Sequence, residues 1–149
     1  MSEHEYLAAG PLRELQGERL VQLVARLYQH VPFYRERMQN AGVTPADIRD
    51  ISDIVKLPFT TKDDMRSVYP LGLLAVPMAE IQEIHASSGT TGKPVVDAYT
   101  RNDLAIWGEV MGRTFEMGGA TSEDIVQNAY GYGLFTGGLG AHYGAHNIH

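Results

Sequence analysis

The sequence contains no cysteine. That excludes disulfides, thiolate metal sites and a cysteine nucleophile, and it fits a reducing compartment. No apolar run approaches the ~20 residues that a membrane span requires. The acidic start, Met1-Ser2-Glu3-His4-Glu5-Tyr6, has neither the basic nor the apolar region of a secretory signal, so a cytoplasmic location is expected. Positive charge is scarce: 12 Lys plus Arg face 18 Asp plus Glu, a net charge of −6. This argues against nucleic acid or an anionic membrane as a partner. The scarcity is uneven. Residues 1–70 carry nine basic and ten acidic side chains, whereas residues 71–149 carry three and eight. In that second part Lys93, Arg101 and Arg113 are the only fixed cations, so an anion there must rely mostly on backbone amides and a metal ion.

What is present fits a folded protein. The 149 residues are 44% hydrophobic and 9% aromatic, the balance of a globular chain of one-domain size. Pro11 suits the start of a helix, and Leu12, Leu15, Leu20, Leu23, Val24, Leu27 and Val31 recur at helical spacing behind it. Pro32 ends or bends that helix, and a second runs from Phe33 to Met38 and stops near Gly42. Thr44-Pro45 precedes a short helical turn, Ser52 is placed to cap another, and Thr60 or Thr61 can cap Lys62–Ser67. Residues 1–77 thus read as a helical region with a solvated, charged surface.

The pattern changes after Pro77. Ile81–Ala86 and Pro94–Tyr99 read as strands, and Thr100 with Asp103 resembles a cap for a helix through Phe115 to Gly118-Gly119. Ile125–Tyr130 is a further candidate strand, Gly131–Gly138 a loop, and Leu139–His146 a short helix. The fold class is therefore α/β, with a helical region over 1–77 and the beginning of an α/β domain over 78–149.

Between the first two strands lies Ser87-Ser88-Gly89-Thr90-Thr91-Gly92-Lys93. Two glycines allow consecutive amides to face one concavity, the hydroxyls can donate to phosphate oxygens, and Lys93 adds a cation. It is not a Walker A loop. That pattern has four residues between its glycines and Ser or Thr after the lysine, while here there are two, and Pro94 follows. The alternative is an ordinary Ser/Gly-rich hairpin turn, but hairpin loops usually run ~2–5 residues. A second cluster combines Tyr130, Tyr132 and Phe135 with Gly131, Gly133, Gly137 and Gly138. Aromatic walls separated by bare backbone suit a flat apolar ligand, although the same aromatics could simply fill a core. His142, His146 and His149 are spaced for one helical face, yet they lie at the frayable end of the chain, and no metal site is assigned to them.

Ser88–Lys93 with its following proline resembles the phosphate loop of the adenylate-forming, AMP-binding acyl-CoA synthetases. Val31-Pro32-Phe33-Tyr34-Arg35, Leu57–Arg66, Ile84–Ser88 and Asn128–Gly140 are similar to the phenylacetate–coenzyme A ligase family. The similarity runs from about residue 12 to Gly144. It implies an N-terminal, incomplete portion of a ligase that makes an acyl-adenylate from an aryl acid and ATP, then a thioester with coenzyme A, as in phenylacetate catabolism. It also implies that Ser87, Ser88, Gly89, Thr90, Thr91, Gly92 and Lys93 bind the nucleotide, with Thr90 and Lys93 catalytic. Tyr130, Tyr132, Gly133 and Phe135 would bind the acid, and ATP, Mg²⁺ and coenzyme A would be required. The family's later adenine, ribose, hinge and lid motifs are absent, so the 149 residues alone are expected to be inactive. Implied partners are the small acid, ATP, coenzyme A, a second copy, or the missing C-terminal part. Alternatives are a relative adenylating another aryl acid or a deazaflavin cofactor, or a catalytically incomplete binding module. Asp97 departs from the family at a normally apolar strand position.

Overall fold

A computed structural model describes residues 6–87, 94–133 and 136–148. They form two compact units. The first runs to Val68 and takes in Gly72–Val76; the second takes in Tyr69–Leu71 and the chain from Pro77 onward.

In the first unit, helix α1 spans Ala9–His30 and α2 spans Pro32–Asn40. α1 begins two residues before Pro11, because first-turn N–H groups have no helical partner and a proline there loses nothing. It ends at Val31, which is extended (φ −116°, ψ 101°), as the residue before a proline prefers. Past the α2 cap at Ala41, Gly42 has a φ of +66°, which admits the left-handed turn that closes the helix. There Gly42 N–H donates to Gln39 O and Val43 N–H to Met38 O. This turn brings Met38 and Val43 into one core with Val24 and Ile48, against which Leu20, Val21, Leu27, Tyr28, Tyr34 and Leu57 pack. Leu12 and Leu23, counted in the apolar stripe from sequence, are exposed. Gly17 takes a place on the inner face instead, close against the Asp50–Ile51 backbone.

Two 3₁₀ turns follow, Pro45–Asp47 and Ile51–Lys56, then helix α3, Lys62–Ser67. The cap of the second turn is Asp50, not Ser52: the Ser52 N–H and O–H both donate to the Asp50 carboxylate. A carboxylate accepts two donors at once, which a serine hydroxyl does less well. α3 is capped by Thr61, with Asp64 returning to the Thr61 N–H at 2.8 Å. Arg37 on α2 ties this turn down through Asp64 (2.5 Å) and the Phe59 carbonyl (2.9 Å).

The second unit starts from an antiparallel hairpin, β1 (Ile81–Ala86) with β2 (Val96–Thr100). Ala86 faces Val96, Ile84 faces Ala98 and Ile81 faces Thr100, with a bulge between Ile81 and Glu83. β2 passes directly into helix α4, Arg101–Met117, through a reciprocal Thr100–Asp103 cap. Helix α5, Thr136–Ala145, lies on α4.

Two sequence expectations fail here. Ile125–Tyr130 is not a strand: no described segment pairs with it, and Ile125 is 98% exposed. High β propensity does not make a strand without a ladder partner. α5 also starts at Thr136 rather than Leu139, so Gly137 and Gly138 are helical and not part of a loop. They are drawn in by packing. Gly138, Gly140 and Gly144 form the buried face of α5, and Gly108 and Gly112 the buried positions of α4. A Cβ at Gly140 would meet the Trp107 ring at 2.8 Å, and one at Gly112 would meet the Asn147 carbonyl oxygen at 2.6 Å. Ile106 and Val110 on α4 are about half exposed.

Candidate functional site: the hairpin stem and its aromatic support

The polar run between the strands is held at a described neck. Ser87 N–H donates to Val95 O at 2.9 Å, and Val95 N–H donates to Ser87 Oγ at 2.9 Å. Ser87 thereby closes the hairpin stem as an acceptor, a role that leaves its own O–H as a donor. Ser88, Gly89, Thr90, Thr91, Gly92 and Lys93 lie outside the described residues. Asp97 is exposed on β2, so the charge that departs from the family pattern sits in water.

Beneath the neck, β1 turns two polar side chains inward. His85 is fully buried, with its ring 5.1 Å from both Tyr99 and Trp107. Its Nε2 lies 2.5 Å from Glu83 Oε1, and Glu83 Oε2 accepts the hydroxyl of Tyr143 on α5. An ionised carboxylate only accepts, so the imidazole carries its hydrogen on Nε2. The buried Nδ1 has no partner among the described residues. The hydrogen bond to Glu83 first, and burial second, push the Tyr143 phenol above its ordinary range, so it remains a donor. Tyr99 is raised too, by burial first and then by Asp97, Asp103 and Glu83.

This three-group chain was not legible from sequence. Glu83 and His85 alternate on one strand face, which is a signal that two polar groups need partners, but Tyr143 is 60 residues away from Glu83.

The second cluster is only partly assembled. Tyr130 and Tyr132 are 62% and 55% exposed, Gly133 has open space where a side chain would be, and Phe135 lies outside the described residues. Tyr132 does not stand free. Its hydroxyl takes a hydrogen bond from Asn128 Nδ2 (3.1 Å) and lies 3.1 Å from His142 Nδ1. Asn128 also donates to Gly138 O at 2.8 Å, and the Tyr130 ring covers Gly137. The glycines of this run therefore divide. Gly131 and Gly133 border open space, whereas Gly137 and Gly138 are closely packed rather than gaps between aromatics.

His142 and His146 contact each other edge-on, with ring centroids 4.8 Å apart; His149 lies outside the described residues. Among the described residues no three His, Asp or Glu side chains gather as a metal site, and no helix is long and apolar enough to cross a membrane.

No family model matches the sequence. Similar proteins are nevertheless clear. The phenylacetate-coenzyme A ligase of Thermus thermophilus is 53% identical over 143 residues, 96% of this chain and 32% of that protein. Its namesake from Escherichia coli is 48% identical, over 97% of this chain and 33% of that protein. Among solved structures, a 2-hydroxyisobutyryl-CoA ligase in complex with 2-HIB-AMP and CoA superposes with a TM-score of 0.89 at 28% identity. It covers 97% of this chain and 32% of its own. An open conformation of that ligase superposes at 0.85 with 24% identity, a likeness of fold. The chain spans about a third of the length of the curated relatives it matches. What these 149 residues match, over nearly all their length, is one third of a phenylacetate-coenzyme A ligase, in the fold of the adenylate-forming acyl-coenzyme A ligases.

Proposed function

We propose that the chain is the N-terminal, nucleotide-gripping part of an ATP-dependent aryl acid–coenzyme A ligase whose acid is phenylacetate. The observation that carries this reading is the 47–53% identity to four phenylacetate-coenzyme A ligases, over stretches that include the hairpin and its polar run. In the first half-reaction the carboxylate attacks the α-phosphorus of ATP, forming the acyl-adenylate and releasing diphosphate. In the second, the coenzyme A thiolate adds to the acyl carbon and AMP leaves. Both steps need positioning and neutralisation of developing charge more than a protein nucleophile, so the lack of cysteine is no obstacle.

In this reading Ser88, Thr90, Thr91 and Lys93 hold the β- and γ-phosphates, Gly89 and Gly92 admit the backbone, and Ser87 donates its remaining O–H from the neck. Tyr130, Tyr132, Gly133 and Phe135 form one wall for the aryl ring. The described residues offer no carboxylate cluster for Mg²⁺. The cation is therefore assigned to ATP as its counter-ion, and no step is routed through these side chains. The remaining two thirds of a ligase, on the same or another polypeptide, is the partner that completes the site.

Complementation tests this. The chain is mixed with the other two thirds of the Thermus thermophilus relative, and ATP–diphosphate exchange is followed. Exchange dependent on phenylacetate is expected, with Lys93→Ala lowering it at least about a hundredfold, as for loss of a charge-stabilising group. Exchange only with unrelated acids would remove phenylacetate as the substrate. Thioester formation by the 149 residues alone would remove the need for a partner.

A further inference from the structure

We propose that Tyr143 is a positioning residue for Ser87 and the Ser87–Val95 neck, acting through Glu83 and His85 on the strand that leads into it. The proposal rests on the ligase reading above and adds a control point to the same site. Tyr143 sits on α5, and its hydroxyl donates to Glu83 Oε2. The other carboxylate oxygen takes the Nε2 hydrogen of His85 at 2.5 Å. Glu83 and His85 occupy alternate positions of β1, and two residues further is Ser87, whose N–H and Oγ both close the neck with Val95. Two hydrogen bonds thus tie α5 to Glu83 and His85, and the β1 backbone carries the link from His85 to the neck at Ser87.

The chemistry is what makes this a positioning device and not just packing. The Glu83 and His85 side chains are 21% and 1% exposed. Three apolar residues would fill the same volume at lower desolvation cost, but dispersion contacts tolerate sliding, whereas hydrogen bonds to a carboxylate fix distance and direction. With both carboxylate oxygens engaged, Glu83 is held in one rotamer. Its grip on Nε2 fixes the plane of the His85 ring between Tyr99 and Trp107. The roll of β1 about its own axis is then set, and with it the placement of Ser87 at the neck. Tyr143 is itself anchored, because Gly140 and Gly144 flank it on the face that packs against Trp107, Met111 and Phe115.

The test uses the full chain and the variants Tyr143→Phe and Glu83→Gln. Amide hydrogen exchange is measured at Ser87 and Val95 and across α4, and MgATP affinity by calorimetry on the complex with the other two thirds of the Thermus thermophilus relative. Tyr143→Phe is expected to speed exchange at the two neck amides about tenfold, as for loss of a hydrogen bond to a charged group, with α4 amides unchanged. MgATP affinity is expected to fall by a similar factor, and Glu83→Gln is expected to do the same from the other end of the chain. Neck amides that do not respond in either variant overturn the proposal. So does exchange that rises in step across the neck and α4, which is the mark of a merely structural role. A wild-type complex that binds no MgATP overturns the nucleotide reading itself, and with it the claim that the neck's order serves a nucleotide.

Discussion

Replacing Gly144 by alanine isolates the packing that seats α5 on α4. A Cβ at this position would lie 2.6 Å from Met111 Cβ, 2.9 Å from Phe115 Cε2 and 3.0 Å from the Met111 carbonyl carbon. The Phe115 ring edge can swing aside. The two Met111 atoms cannot, because the α4 backbone fixes both. Relief requires α5 to back away from α4, which loosens the close approaches at Gly140 and Gly112 as well. Two effects oppose each other. Alanine for glycine inside a helix favours folding by about 1 kcal/mol. Overpacking costs about 1–3 kcal/mol, and a clash with immovable atoms belongs at the upper end. The net expectation is a loss of about 1–2 kcal/mol, or a Tm lower by about 2–8 °C for a chain of this size. Trp107, the single tryptophan, lies on α4 and reports the unfolding of this unit in urea by its emission. Gly10→Ala on α1 is the control, since nothing lies within 4 Å of its added carbon, and it should be neutral or mildly stabilising by circular dichroism. A Gly144→Ala chain as stable as the wild type would refute the close-approach argument.

Thr100→Ala removes the two hydroxyl bonds of the α4 cap, the donation to Asp103 Oδ2 (2.7 Å) and the acceptor for Asp103 N–H (3.2 Å), and keeps the Thr100 N–H bond to Asp103. A loss of about 1 kcal/mol is expected in the same urea experiment, with Thr100→Ser close to wild type. Ile48 is 2% exposed within the Val24–Met38–Val43 core, so Ile48→Ala should cost about 2–4 kcal/mol and Ile48→Val about 1 kcal/mol, read from the loss of helix by circular dichroism. Hydrogen bonds hold four carboxyls of the first unit below their ordinary range: from the Thr44 side chain to Asp47, Ser52 to Asp50, Lys56 to Asp53 and the Thr61 backbone to Asp64. A depressed folded-state value means the stabilisation is complete above the unfolded value, about 3.9, and is lost as pH falls through the folded ones. The first unit should therefore lose helix below about pH 4; helix content unchanged down to pH 2 would contradict this.

Much of the fold was legible where a local rule decides it. Pro32 breaks α1 from α2 because its ring constrains Val31, whatever lies around it. The Thr-x-x-Asp spacing closes reciprocal bonds at Thr61 and Thr100; at Thr44 and Thr121 the Asp carboxylate likewise accepts the Thr N–H, and at Thr121 no helix follows. A polar run flanked by two short β-prone segments gave the hairpin. Of the candidate site, Ser87 falls at the hairpin neck, but its bond to Val95 could not be read from spacing alone, and Ser88–Lys93 lie outside the described residues. Where tertiary contact decides, local rules failed. Ile125–Tyr130 has the composition of a strand and no partner among the described residues, and the Glu83–His85–Tyr143 chain joins segments that nothing in the sequence connects.

The glycine-rich stretch shows why the second kind of information matters to function. Four of the ten residues of α5 are glycine, which costs an isolated helix about 4 kcal/mol relative to alanine. Such a segment is helical only because it is docked. The same lack of side chains that weakens α5 lets it approach α4 closely enough for Trp107, Met111 and Phe115 to cover its backbone. Its order is therefore borrowed from α4, from Asn128 through Gly138 O, and from Glu83 through Tyr143. A helix whose folding depends on its docking partners responds to changes at those partners. β1, which carries Glu83 at one end and the loop's neck at the other, is one of them. Loosening Glu83 should consequently loosen α5 before it unfolds the hairpin, and a change at the neck should be felt in α5, so the glycines make the helix a dependent of the strand that leads into the Ser87–Val95 neck.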